Sequence, residues 1–135
     1  MNLVVILGES TVPIKIMIVD DESSIPLMIK DYLDDETDFE VTIAISGEDA
    51  LKSYTLETPD LCIVDMRLGG MTGNDFIIAA SKINSGCKFI IHTGSIDYVL
   101  PQELIKMDIT TDSILFKPVF QLDDFYKKIK FILNL

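Results

Sequence analysis

The stretch Ile14-Lys15-Ile16-Met17-Ile18-Val19-Asp20-Asp21 decides the fold, because a short apolar run ends there on two carboxylates. A second apolar run, Leu61-Cys62-Ile63-Val64, also ends on a carboxylate, that of Asp65. Runs of this length that are rich in Ile and Val are typical of buried strands. Carboxylates at the ends of buried strands are costly unless their charge is compensated. Because Mg²⁺ selects oxygen ligands, the pattern predicts a metal-assisted site at these strand ends.

Three more apolar segments predict strands, at Val41–Ile45, Lys88–Thr93 and Ser113–Phe116. A helical pattern follows each of the five predicted strands, with apolar residues recurring on one face. Strict alternation of strand and helix predicts an α/β fold with a parallel sheet and helices on both faces. Five units are too few for an eightfold barrel, so we expect a doubly wound sheet.

The helices have predicted starts and inner faces. Ser23 or Ser24 is expected to cap the first helix, and Ser46 opens the second helix, which runs to Leu56, with a capping-box pattern. The fourth helix is expected to begin near Pro101, because proline is tolerated in a first turn but interrupts a helix. The inner face of the third helix is predicted to carry Phe76, Ala79, Ala80 and Ile83, and that of the closing helix Leu122, Phe125, Ile129, Ile132 and Leu133.

Bulk properties narrow the classes of protein. The 135 residues, 48% of them hydrophobic, suit one domain with one core. The formal net charge of -11, without a Lys/Arg-rich stripe, argues against nucleic acid as a ligand. Cys62 is predicted to be a small core hydrophobe, and with Cys87 as the other cysteine no disulfide framework or zinc site is indicated. Two cysteines without a disulfide framework are consistent with a reducing cytoplasm.

The chain is predicted to divide into an N-terminal extension, residues 1–14, and a domain, residues 15–135. The extension is expected to be either disordered or an added strand. Its apolar run Leu3–Leu7 is too short for a membrane span and lacks the basic flank of a signal peptide. A frayed tail, an added strand and a self-association edge all stay open for this run.

Four of the five predicted strands end in chemistry-bearing side chains, namely Asp20 with Asp21, Asp65, Thr93 and Lys117. In an open α/β sheet, ligands bind beyond the carboxyl ends of the strands, where the strand order reverses. Any one of these residues could be an ordinary polar strand end. Carboxylates, a hydroxyl and an ammonium together are the groups that phosphoryl chemistry needs.

These residues resemble the receiver domains of two-component response regulators, in order and in spacing. The resemblance covers roughly residues 15–133. It implies a flavodoxin-like (β/α)5 receiver fold with a five-stranded parallel sheet in the order 2-1-3-4-5. The segments that carry it are Ile18-Val19-Asp20-Asp21-Glu22, Asp65-Met66-Arg67-Leu68 with Gly73 downstream, Thr93-Gly94 and Lys117-Pro118.

The resemblance assigns the acidic residues to phosphoryl acceptance. It implies that Asp65 is the phosphoacceptor, a carboxylate nucleophile that forms aspartyl phosphate. Asp20 and Asp21 are then Mg²⁺ ligands, together with Asp65 and the backbone carbonyl of Arg67. The ion would offset the repulsion between carboxylate and phosphate and help to orient in-line attack.

The resemblance also assigns the remaining strand ends. Lys117 is implied to pair with a phosphoryl oxygen, and the bond between this lysine and Pro118 is usually cis in the family. Thr93 is implied to supply the hydroxyl that moves to meet the phosphoryl group and so reports its presence. Asp65, Thr93 and Lys117 are thus the reactive set.

Three features depart from the family pattern. Gly69 occupies a position that is often proline, which predicts a mobile loop after the phosphoacceptor. Ile114 occupies the usual position of an aromatic switch residue, and an isoleucine has no ring to rotate. Pro101 and the irregular segment 96–112 alter the fourth helix, which normally belongs to the output face. The phosphorylation chemistry is therefore expected to be intact and the readout changed.

The leading hypothesis is phosphorelay signalling: a phosphohistidine kinase phosphorylates Asp65 in a Mg²⁺-dependent reaction, and a protein-binding surface switches. Such a domain is not an enzyme beyond its own phosphorylation and slow dephosphorylation. The implied partners are a sensor histidine kinase or a histidine phosphotransfer protein, with an unnamed downstream protein and neither nucleic acid nor membrane. A cytoplasmic location is expected, and a homodimer stays open. Because the sequence starts at Met1, a stand-alone receiver is favoured over an excised domain.

Two alternatives stay open. A pseudo-receiver would bind partners without being phosphorylated, and the absence of an aromatic residue at position 114 leaves this alternative open. A phosphatase with an aspartyl-phosphate intermediate would use Asp20 as its nucleophile, but such enzymes need a second aspartate two residues later. Glu22 stands at that position here, so the phosphatase is the less favoured alternative.

Overall fold

A computed structural model of the chain describes residues 5–7 and 10–135. Within these residues it has seven strands and five α-helices, with a short 3-10 turn at Thr111–Ser113. The strands are β1 (Val5–Leu7), β2 (Ser10–Val12), β3 (Lys15–Val19), β4 (Glu40–Ala44), β5 (Leu61–Asp65), β6 (Lys88–Thr93) and β7 (Ile114–Phe116). The helices are α1 (Ser24–Glu36), α2 (Gly47–Leu56), α3 (Gly73–Ile83), α4 (Gln102–Ile105) and α5 (Asp123–Leu133).

The central element is a five-stranded parallel sheet in the order β4-β3-β5-β6-β7. When the five strands of this sheet are numbered from β3 as the first, their order is 2-1-3-4-5, as predicted. The expected doubly wound fold is therefore confirmed. The strand order reverses between β3 and β5, which are neighbours with Val19 opposite Val64. Asp20, which follows β3, and Asp65, which is the last residue of β5, therefore lie side by side at one edge of the sheet.

Successive side chains of each strand point to opposite faces of the sheet, so the strands contribute to two cores, one on each face. On one face, Met17, Val19, Cys62 and Val64 pack with α2 and α3. On the other face, Ile16, Ile18, Leu61 and Ile63 pack with α1 and α5. Both faces of β3 and β5 are buried, which explains their unbroken apolar sequences.

Most predicted bounds agree with the structure, and β5 and β6 agree residue for residue. The second predicted strand was set one residue too late: Glu40–Ala44 is observed, and Ile45 is exposed. Ser46 caps α2 as predicted, because its side chain accepts a hydrogen bond of 3.0 Å from the Asp49 amide. Ser23 precedes α1, but its side chain makes no capping hydrogen bond because its own backbone is already helical.

The predicted inner face of α3 was partly wrong. Phe76 and Ala80 are buried as expected, but Ile83 is 47% exposed and Ala79 is only partly buried. Ile77 is buried instead. The buried stripe is centred toward Ile77, so at 3.6 residues per turn Ala79 and Ile83 lie at its edge. In the closing helix, Phe125 and Ile129 are fully buried, whereas its other predicted inner residues are half-buried.

The N-terminal extension contains a small antiparallel pair separate from the main sheet. β1 pairs with β2, with Val5 opposite Val12 and Leu7 opposite Ser10. Residues Leu3 and Val4 of the predicted apolar run lie outside the described part of the chain. Among the described helices, none is long and apolar enough to cross a membrane.

Candidate functional site

Three carboxylates meet where the strand order reverses. Asp20 follows β3 directly, Asp21 is next, and Asp65 is the last residue of β5. One oxygen from each side chain lies within 4.8 Å of the others. Asp20 and Asp65 are buried, while Asp21 is exposed. The structure therefore brings together the three carboxylates that the sequence singled out, and their oxygens are the donor type that a hard divalent cation selects.

Backbone amides orient the two buried carboxylates. The Glu22 amide donates to Asp20 Oδ1 at 2.9 Å, and the Arg67 amide donates to Asp65 Oδ1 at 3.1 Å. The Asp20 amide itself donates to the Ala44 carbonyl at 3.0 Å, which continues the ladder between β3 and β4. Each strand end thus turns so that its carboxylate stays at the sheet edge, with one oxygen left for another partner.

Burial dominates the electrostatics of Asp20. It raises the pKa of this carboxyl from 3.8 to about 6, and the negative charge of Asp65 adds to the rise. The Glu22 amide and Lys117 act in the opposite direction but do not cancel the effect of burial. An ionised Asp20 is therefore undercompensated by the protein alone, as expected of a carboxylate placed to bind a cation.

Lys117 supplies the positive charge of the site. Its Nζ lies 3.4 Å from Asp65 Oδ2 and 3.8 Å from Asp20 Oδ2. Its backbone amide donates to the Thr93 carbonyl at 2.7 Å, which fixes the end of β7 against β6. The Lys117-Pro118 bond is cis, as the resemblance implied.

Thr93 ends β6 and is buried, one residue beyond His92, which is the register partner of Asp65. Its Oγ1 accepts a hydrogen bond of 3.2 Å from the Ser95 amide. The Thr93 hydroxyl therefore has a partner in its own loop, and it lies at the same edge of the sheet as the carboxylates.

The loop after Asp65, where Gly69 predicts mobility, contains a glycine in the left-handed region and a hydrogen bond to a neighbouring helix. Gly70 has a φ of +84°, a backbone state that glycine adopts without strain. The Met71 amide donates to Glu48 Oε2 at 3.3 Å, which joins the loop to the first turn of α2. A Cβ on Gly73 would collide with the Asp65 backbone carbonyl, so only glycine fits at this close approach. The sequence reasoning missed Glu48, whose only signal was its place in the capping-box pattern.

His92 lies beneath the site and was not among the predicted site residues. It is 2% exposed, its ring packs edge-on against Phe125 with centroids 5.0 Å apart, and its Nε2 has no hydrogen-bond partner among the described residues. Burial lowers its pKa to about 4, with a further contribution from Lys117. The imidazole is therefore neutral at ordinary pH and acts as a packing group.

A family model described as the response regulator receiver domain matches residues 16–130. Among curated proteins, sporulation initiation phosphotransferase F of Bacillus subtilis is 32% identical over 87 residues, which are 63% of this chain and 69% of that protein. Regulatory protein LuxO of Vibrio cholerae is 33% identical over 81 residues, which are 58% of this chain. The match covers only 18% of LuxO, so its remaining length has no counterpart in the alignment.

Solved structures share the fold over nearly the whole chain. A CheY-like response regulator receiver domain protein from Methanospirillum hungatei superposes with a TM-score of 0.77 at 30% identity, covering 91% of this chain and 95% of that one. Chemotaxis response regulator CheY4 of Vibrio cholerae superposes with a TM-score of 0.76 at 26% identity, covering 90% of this chain and 99% of that one. The residues matched by the family model include all five strands of the main sheet except the first residue of β3.

Proposed function

The chain belongs to the response regulator receiver domain family of two-component signalling, and from this premise we propose that Asp65 accepts a phosphoryl group in a Mg²⁺-dependent reaction. The observation that carries the proposal is the meeting of three carboxylates within 4.8 Å, with Lys117 Nζ 3.4 Å from Asp65 Oδ2. A nucleophilic carboxylate, a cation site and a fixed ammonium are together what acceptance of a phosphoryl group needs.

Asp20, Asp21, Asp65 and the backbone carbonyl of Arg67 are the proposed ligands of Mg²⁺. The donor set fits, because it consists of oxygens and because the elevated pKa of Asp20 reports a carboxylate that the protein alone does not neutralise. When bound, the ion supplies charge neutralisation between the entering phosphoryl group and the carboxylates. The exposed Asp21 marks the side from which the site is open to solvent.

The chemical step forms one bond and breaks another. A carboxylate oxygen of Asp65 attacks the phosphorus of a phosphohistidine, the new O–P bond forms, and the N–P bond to the histidine breaks with its electron pair returning to the imidazole. The Arg67 amide holds the other oxygen of Asp65 during attack. Lys117 stays beside Asp65 and pairs with a phosphoryl oxygen, exchanging one anionic partner for another.

The proposed donor is a sensor histidine kinase or a histidine phosphotransfer protein. Similarity to a protein named as a phosphotransferase supports a place in a phosphoryl relay. Thr93 is the proposed reporter, because its hydroxyl lies at the same sheet edge and, among the described residues, has the Ser95 amide as its hydrogen-bond partner. The proposed output is a protein contact made from a surface that changes with phosphorylation, in the cytoplasm.

The direct test is incubation with acetyl phosphate and Mg²⁺, followed by intact-mass measurement. We expect one added phosphoryl group in the parent protein and none in Asp65→Asn or when EDTA replaces Mg²⁺. Asp75→Asn is the matched control, because Asp75 is an exposed carboxylate on α3 outside the cluster, and it should be phosphorylated like the parent. A parent protein that gains no mass while remaining folded by circular dichroism would refute the proposal.

A further inference from the structure

The segment after β6 is tied together by consecutive hydrogen bonds that begin at Thr93. The Ser95 amide donates to Thr93 Oγ1 at 3.2 Å, and the Tyr98 amide donates to the Ser95 carbonyl at 3.2 Å. The turn formed in this way carries Thr93 at one end and Tyr98 at the other. A displacement of the Thr93 hydroxyl therefore removes the acceptor of the first amide in the turn.

Tyr98 connects this turn to another element. Its hydroxyl donates to Asn74 Oδ1 at 2.7 Å, and its half-buried ring packs against the core formed by α2, α3 and the sheet. Asn74 lies in the first turn of α3, directly after Gly73, which touches the backbone of Asp65. The hydrogen bond thus joins the turn that follows Thr93 to the first turn of α3.

The turn has little else to hold its outer side. Ile96 and Val99 flank Tyr98 and are 83% and 80% exposed. Among the described residues, the bond between Tyr98 and Asn74 is the side-chain hydrogen bond that fixes this turn to α3. The side-chain hydrogen bonds named above thus hold the turn at its two ends, Thr93 and Tyr98, while Ile96 and Val99 face solvent.

We propose that Tyr98 and Asn74 are positioning residues that latch the turn and thereby hold the Thr93 hydroxyl away from the phosphoryl position. The proposal rests on the phosphorylation of Asp65 proposed above. When the hydroxyl of Thr93 engages a phosphoryl group, the Ser95 amide loses its acceptor and the turn shifts, which breaks the bond between Tyr98 and Asn74. The latch therefore makes phosphorylation of Asp65 less favourable, and its release exposes Tyr98 beside Ile96 and Val99.

The first test removes the hydroxyl alone. In Tyr98→Phe, we expect the acetyl phosphate concentration that half-phosphorylates the protein to fall about fivefold, the factor that one ordinary hydrogen bond contributes to an equilibrium. Asn74→Ala should behave in the same way, and Asn74→Asp, whose carboxylate is a stronger acceptor for the tyrosine and adds negative charge near the site, should not lower the concentration. An unchanged or higher concentration in Tyr98→Phe would overturn the proposal.

Tyr54→Phe is the matched control. Tyr54 also donates a hydrogen bond from its hydroxyl, to the Asn84 carbonyl at 2.5 Å, but it does so at the far end of α3 and away from Thr93. Its loss should lower the urea midpoint of unfolding without moving the half-phosphorylation concentration. If Tyr54→Phe shifts phosphorylation as much as Tyr98→Phe does, the effect is general destabilisation and the latch is refuted.

The second test separates the latch from the phosphorylation proposal. Protein labelled with 3-fluorotyrosine gives fluorine resonances for Tyr32, Tyr54, Tyr98 and Tyr126, and Tyr98→Phe assigns one of them. With acetyl phosphate and Mg²⁺, the Tyr98 resonance should move toward that of free fluorotyrosine, while the Tyr54 resonance stays. Thr93→Ala, without any phosphoryl donor, should move the Tyr98 resonance in the same direction.

The outcomes are distinguishable. A parent protein that gains no mass refutes the phosphorylation proposal, and Thr93→Ala still tests the link between Thr93 and Tyr98. A Tyr98 resonance that stays in place in Thr93→Ala, or in parent protein shown by mass to be fully phosphorylated, overturns the latch.

Discussion

Replacing Asp20 by asparagine should stabilise the metal-free protein while it removes a proposed Mg²⁺ ligand. Asp20 is 1% exposed, and its burial raises the pKa from 3.8 to about 6. A rise of this size corresponds to about 3 kcal/mol of penalty on the ionised carboxylate in the folded state. Asparagine keeps an acceptor for the Glu22 amide and carries no charge. We therefore expect Asp20→Asn to raise the free energy of unfolding by up to about 3 kcal/mol at pH 8.

The pH dependence gives the sign of the effect. The pKa of Asp20 is higher in the folded state than in the unfolded state, so the folded state binds the extra proton between these two values. The penalty is complete above about pH 6 and disappears as the pH falls toward 3.8. At pH 5 the advantage of Asp20→Asn should shrink to about 1.5 kcal/mol, roughly half its value at pH 8.

Urea denaturation in EDTA at pH 8 and pH 5 measures both numbers. Asp21→Asn is the control: Asp21 is exposed, so the substitution should change stability by less than about 0.5 kcal/mol. Mg²⁺ at 100 times its dissociation constant should then stabilise the parent by about 2.7 kcal/mol and leave Asp20→Asn unchanged. If Asp20→Asn is less stable than the parent in EDTA, or if its advantage is independent of pH, the reasoning about the buried charge is wrong.

Three further predictions, two of them with a matched control substitution, test other parts of the structure. Burial lowers the pKa of His92 from 6.5 to about 4, so the folded state resists protonation of this imidazole and the protein loses stability as the pH falls below 6.5. His92→Phe should therefore reduce the loss of unfolding free energy between pH 7.5 and pH 5 by about 2 kcal/mol, as measured by urea denaturation. Gly73→Ala should destabilise the protein by about 1–3 kcal/mol in thermal unfolding because its Cβ meets backbone, whereas Gly69→Ala, with no atom within 4 Å of its Cβ, should change stability by less than about 1 kcal/mol. Ser46→Ala should cost about 1 kcal/mol through loss of the cap of α2, and Ser23→Ala, which loses no capping bond, should cost less than half of that.

The sheet and the proposed chemical site were predictable because both follow from strands. Apolar runs bounded by polar residues marked β5 and β6 to the residue, and parallel pairing places all carboxyl ends at one edge. Once β3 and β5 are neighbours, the residues at their carboxyl ends must lie close together. Asp20 and Asp65 therefore needed no long-range information beyond the strand order.

The helix faces were predicted less well because they depend on what covers them. A helical pattern leaves the rotation of the buried stripe undecided when apolar residues are plentiful, as they are in α3. Ile77 and Ile83 are equally apolar, and only packing against the sheet and α2 buries the first and exposes the second. The absent capping bond of Ser23 has a similar cause, since a serine before a helix is a local signal and its backbone conformation is set by the exit from β3.

Two side-chain contacts near the site each join a loop or turn to a helix elsewhere in the chain, and local sequence patterns do not predict such pairs. The structure joins the loop after Asp65 to α2 through the Met71 amide and Glu48, and it joins the turn after β6 to the first turn of α3 through Tyr98 and Asn74. The partners in these bonds are separated by 23 and 24 residues. No local spacing rule relates such residues, because their meeting depends on the packing of whole helices. Ile114, which lacks the ring expected at its position, packs against the same core as Tyr98. If the proposed latch operates, Tyr98 responds to Thr93 without any ring at position 114, and the readout of the proposed switch then lies before α4 rather than on β7.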